Sequence, residues 1–181
     1  MTSSKTTRRC TAAPWMVLAL ALAAYDQPNA RAGSYMVTDL GVLGSSGLSV
    51  PQSEAIGINA SGQAVGFSST ATSGNHAFLY SAGVMHDLGT LNGGHESISY
   101  GINDSGYVVG SSTTSSGDTR PFLYSNGVMH DLGTLGGTLG RAFGVNASGQ
   151  VVGYSLLLNS PNSHAFLYSA GVMHDLGTLA G

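Results

Sequence analysis

Basic residues are nearly absent from this sequence. The 181-residue chain has six Lys and Arg in all, and four of them, Lys5, Arg8, Arg9 and Arg31, fall in the first 32 positions. Beyond these only Arg120 and Arg141 remain, facing eight acids, for a formal charge of −6 over residues 33–181. Two scattered cations cannot track a phosphate backbone or an anionic bilayer, which sets aside nucleic-acid binding and polybasic membrane attachment. Cysteine is equally scarce. The single Cys10 precedes the apolar run AAPWMVLALALAA at 12–24, so no disulfide braces residues 33–181.

That run is the longest apolar stretch, and it is too short to span a bilayer. Lys5, Arg8 and Arg9 before it and Ala30-Arg31-Ala32 after it make residues 1–32 a signal peptide in expectation, cleaved after Ala32. The expected protein is therefore exported, extracellular or periplasmic, with no membrane span once the leader is removed. The remaining 149 residues suffice for a core of their own. Their regularly placed Val, Ile, Leu, Phe and Tyr argue against disorder despite the low charge.

What is abundant is repetition. HAFLYSAGVMHDLGTL stands at 76–91 and returns unchanged at 164–179, while 120–135 reads RPFLYSNGVMHDLGTL. Gly57-Ile58-Asn59-Ala60-Ser61-Gly62 recurs at Gly101 and at Gly144, steps of 44 and 43 residues. These steps define three repeats at about 48–91, 92–135 and 136–179, led by a strand at 35–43, YMVTDLGVL, that resembles the end of a repeat. Each repeat breaks into four short apolar pieces divided by turn chemistry, which is a strand signature. Asn-x-Ser-Gly joins the first two pieces and Ser-Ala-Gly or Ser-Asn-Gly the last two, both hairpin signals. The second join, SSTATSGN, STTSSGDT or LLLNSPNS, varies and reads as an exposed loop. Glycines inside the first pieces (Gly57, Gly101, Gly144) and the second (Gly66, Gly110, Gly153) imply close backbone approach. The expected fold is all-β, a propeller-like array of three four-stranded antiparallel repeats of about 44 residues, with a β-solenoid as the alternative.

GINxSGxVVG followed by HAFLYxxGxMxDLGTLGG resembles the HAF repeat of bacterial extracellular proteins, named from the His-Ala-Phe seen at His76-Ala77-Phe78 and His164-Ala165-Phe166. The resemblance covers nearly all of residues 33–181 and implies export, without attaching a general biochemical activity. The second repeat departs from it, with Arg120-Pro121-Phe122 in place of His-Ala-Phe.

Chemistry-bearing candidates all lie within the repeat. His86, His130 and His174, each followed by an Asp, are the metal-ligand candidates. Neighbours in a strand point to opposite faces, so one His-Asp pair cannot grip one ion; the preferred reading has the Asp satisfying a turn or backbone amide. Tyr80, Tyr124 and Tyr168 are the ligand-binding candidates, able to stack on sugar rings if exposed, although packing between repeats is preferred. Asn103-Asp104-Ser105-Gly106 is read as a turn and not a calcium loop, since Ala60 and Ala147 replace the Asp elsewhere. No catalytic residue and no cofactor are expected. The expectation is a secreted, non-catalytic module, a surface or matrix scaffold or binding platform that self-associates and engages an extracellular glycan or protein. The alternative is an exported enzyme or lectin acting on extracellular polysaccharide.

Overall fold

Residues 36–44, 50–72 and 74–179 are described in a computed structural model of the chain. The expected export signal at 1–32, with Cys10, lies outside the described residues. Contacts divide the chain at Asp39/Leu40, and all twelve described strands belong to the unit Leu40–Gly181. They are β1 (Ser53–Ile58), β2 (Ala64–Ser69), β3 (Asn75–Ser81) and β4 (Val84–Asp87); β5 (Ser97–Ile102), β6 (Val108–Thr113), β7 (Thr119–Ser125) and β8 (Val128–Asp131); β9 (Gly136–Val145), β10 (Val151–Leu157), β11 (Ser163–Ser169) and β12 (Val172–Gly177). The fold is all-β, with no helix among the described residues.

Strands β1 to β4 form one sheet, paired in chain order and antiparallel. The other eight form a second, in which β5–β8 and β9–β12 are each an antiparallel meander, linked by a single parallel pair, Thr119 with Leu139, between β7 and β9. Neither sheet closes on itself. The local chemistry explains the hairpins. At each first turn the Asn side-chain oxygen accepts two backbone N–H groups, those of Ser61 and Gln63 on Asn59, Ser105 and Tyr107 on Asn103, and Ser148 and Gln150 on Asn146. At each third turn two consecutive residues take positive φ, as in Asn126-Gly127 at 52° and 80°, which matches strand twist in two-residue hairpins.

The variable joins are shorter than the sequence suggests. The strands take up both ends of SSTATSGN and its counterparts: β2 and β6 run on to Ser69 and Thr113, β3 and β7 begin at Asn75 and Thr119, and what remains closes in a tight turn such as Thr114 N to Asp118 O at 2.9 Å. No strand forms over 36–43, the described part of the leading strand expected at 35–43; Leu43 and Gly44 instead donate to β2, at Ser68 Oγ and Ser69 O.

The interior glycines answer two needs. β1, β5 and β9 share a bulge at matching residues, Ile56, Tyr100 and Phe143, left out of the register, and β9 has a second irregularity between Gly136 and Gly140. The bulge pushes the carbonyls of Glu54, Ile98 and Arg141 into the space a Cβ would fill at Gly66, Gly110 and Gly153. At Gly101 a Cβ would lie 2.7 Å from the Phe143 carbonyl oxygen, so the first strands of successive meanders meet backbone to backbone.

The core is split between the two junctions. Val65, Ala77, Leu88 and Leu91 of the first meander and its tail pack with Val108 and Phe122 of the second. Val109 and Leu132 then pack with Ala142, Val151 and Phe166 of the third. Apolar residues on alternate faces of one meander thus serve different neighbours.

Candidate functional site

Each meander carries one carboxylate on its fourth strand, and the structure gives it a partner that adjacency in sequence conceals. Asp87 bonds His76, with Nδ1 3.0 Å from Oδ1, and Asp175 bonds His164 at 2.8 Å. In the second meander Arg120 takes the place of that His, its Nη1 donating to Asp131 at 3.3 Å and its Nη2 to Asp118. The Arg-Pro-Phe departure therefore keeps a cation-capable donor opposite the carboxylate. The same carboxylates accept the N–H of Gly89, Gly133 and Gly177 at 2.7–2.8 Å, holding the tight turn that ends each β4-type strand.

These pairs lie on exposed or half-exposed rims. The Gly177 N–H, then the His164 hydrogen bond, holds the Asp175 carboxyl below its ordinary range. The Asp118 hydrogen bond, with both carboxylate charges, raises the Arg120 guanidinium further despite some burial.

His86, His130 and His174 stand opposite Leu79, Leu123 and Leu167 in register, with exposed side chains, on the other strand face from their neighbouring Asp. Among the described residues no three His, Cys, Asp or Glu are grouped to hold a metal ion. Tyr124 and Tyr168 pack against the two junction cores, and Tyr80 is half-buried at the matching position. Asp104 Oδ1 accepts the N–H of Ala60 from the preceding meander at 2.8 Å. A shallow cleft of about 230 Å³ lined by residues 136–138 and 156–160 has no charged group and falls below the usual size of a small-molecule site.

Sequence reasoning overlooked two ladders that join meanders. Asn59 Nδ2 donates to Asn103 O at 3.1 Å, and Asn103 Nδ2 to Asn146 O at 2.8 Å. Buried Ser112 and Ser155 accept the N–H of Leu91 and Leu135, each at 2.9 Å, and donate to backbone carbonyls of their own strands. Their signal was present in the VGxS pattern at Ser68, Ser112 and Ser155, which recurs with the same steps. It also overlooked an aromatic strip: Phe143, 48% exposed, lies between Tyr100 and Tyr154 with ring centroids 5.3 and 5.8 Å away.

No family model, no curated protein and no solved structure matches the chain. No helix among the described residues is long and apolar enough to cross a membrane.

Proposed function

We propose that this protein is an exported, non-catalytic repeat module of the HAF type, its three meanders serving as blade-like repeats of a propeller-like array, and that it acts as a surface or matrix scaffold or a binding platform. The observation that carries the reading is the use made of the recurring residues. Asn59 and Asn103, Leu91 and Leu135, Ser112 and Ser155 join one meander to the next, and the recurring Asp closes a strand end. A residue repeated for assembly is engaged with its neighbours, and catalytic sites usually interrupt such regularity. The exposed Phe143, flanked by half-buried Tyr100 and Tyr154, favours a lectin-like variant of the same reading, in which sugar rings stack on the aromatic face.

Release of reducing ends from a panel of extracellular polysaccharides, measured with the wild type and with His86→Ala/His130→Ala/His174→Ala, tests the reading. No turnover is expected from either protein. Turnover that disappears in the triple variant would establish an enzyme instead. In the lectin-like variant, retention on an insoluble polysaccharide is lost on Phe143→Ala.

A further inference from the structure

The motif Leu-Gly-x-Leu occurs four times, at 40–43, 88–91, 132–135 and 176–179, and the described residues contain three places for it. Each place is a buried Ser on the second strand of a meander. Leu91 N binds Ser112 Oγ, Leu135 N binds Ser155 Oγ, and Leu43 N binds Ser68 Oγ, all at 2.9 Å. A second bond also recurs: Ser97 Oγ donates to Gly89 O as Ser53 Oγ donates to Gly41 O. The leading segment 40–44 thus holds on the first meander the position that the tail of a preceding meander holds on the others.

The fourth copy has no such place. Leu176 is 59% exposed where Leu88 and Leu132 are 8% and 6%, and Leu179 is fully exposed where Leu91 is buried. The same face of the third meander carries Val152, 46% exposed where Val65 and Val109 are fully buried. Asn146 Nδ2 donates to Gln150 of its own turn, while its two counterparts reach the next meander. A Cβ at Gly144 would meet only Val152, with no neighbouring backbone as at Gly101. Every element of the internal junction is present on this face and uncovered.

We propose that this face docks head to tail on β1 and β2 of a second copy, where Leu176–Leu179 takes the Ser68 position and displaces that copy's own 40–44 segment. The inference rests on the repeat-module reading above and names its partner, another molecule of the same chain. The receiving side offers Ile56 and Ile58, exposed on β1, and the Asn59 carbonyl in register for Asn146 Nδ2. The interface is heterologous, so it propagates to a filament or closes to a ring. Because 40–44 is tethered beside its site, it competes at high effective concentration and keeps association weak.

Sedimentation velocity over a concentration series, on the wild type and three variants, tests this. Leu43→Pro removes the N–H that binds Ser68, so it weakens the competitor and strengthens association about tenfold, equivalent to about 1.4 kcal/mol. Leu176→Asp/Leu179→Asp abolishes association, and the combination with Leu43→Pro stays monomeric. Leu176 and Leu179 are exposed, so the charged pair leaves the fold intact and this arm holds even where Leu43→Pro loosens the first meander. Association of the Leu176→Asp/Leu179→Asp variant equal to wild type, or a Leu43→Pro variant as weakly associated as wild type, overturns the proposal. Neither outcome bears on polysaccharide turnover, which tests the module reading separately.

Discussion

Asn59 and Asn146 make the same bonds within their own turns and differ in how they meet a neighbouring meander, which turns them into a matched pair for measuring a junction. Both side-chain oxygens accept two backbone N–H groups, and both Nδ2 groups donate to a Gln four residues on. Asn59 alone also donates across the junction, to Asn103 O, and it is 8% exposed while Asn146 is exposed. Replacing either by Asp keeps the turn acceptor and removes the donor. Both changes lose the bond to the Gln; at Asn59 the change also deletes the cross-junction hydrogen bond, worth about 1 kcal/mol, and aims a poorly solvated carboxylate at a carbonyl, adding about 1–2 kcal/mol. Asn59→Asp is therefore expected to cost about 2–3 kcal/mol and Asn146→Asp no more than about 0.5–1 kcal/mol. With a urea slope of roughly 1.5–2 kcal/mol/M, the Asn59 variant unfolds about 1–2 M earlier than wild type. Equal midpoints for the two variants would refute the claim that the Asn ladder stabilises the junction.

Other substitutions are suggested by the same comparison between meanders. Ser99 Oγ is fully buried without a hydrogen-bond partner where the other meanders have Ala55 and Ala142, so Ser99→Ala is expected to raise stability by up to about 1 kcal/mol in urea unfolding. Ala77 N binds Ser97 Oγ, whereas its counterpart Pro121 has no N–H and faces Gly140, whose added Cβ would lie 3.0 Å from Pro121 Cδ. Gly140→Ser should destabilise in the wild type and be rescued by Pro121→Ala, with a coupling of about 1 kcal/mol or more in a double-mutant cycle. The Asp175 carboxyl, held below its ordinary 3.8, contributes stability that is present above that value and is lost as pH falls through the lower folded value. Its titration, followed by carboxyl-carbon NMR shift, should lie below 3.8 and move only part of the way back in His164→Ala, because the Gly177 N–H remains.

The turns and strands of this protein were legible because their causes are local. An Asn oxygen that reaches amides two and four residues on, and a pair of positive-φ residues between apolar pieces, act over a few residues whatever lies elsewhere. The all-β class, the strand positions and the pairing of neighbours follow from them, and the 44-residue period marks which positions are equivalent. The partner of each Asp was within reach of the same logic. Once the Ala82-Gly83 turn sets Ser81 against Val84, Asp87 falls opposite Phe78 and diagonal to His76, on its face and away from His86. The Asp does accept a turn amide, as adjacency suggests, while its His partner lies eleven residues earlier across the hairpin.

Contacts between positions about 44 residues apart, or about 20 apart across a junction, have no local cause. Which Ser receives which Leu amide, and how Asn59 reaches Asn103, depend on the bulges, on the glycines that let backbones touch, and on the face each meander turns to the next. The same dependence separates Leu91 from Leu179. The two leucines follow the same fifteen residues, and one is buried while the other is exposed because only the first has a meander packed over it.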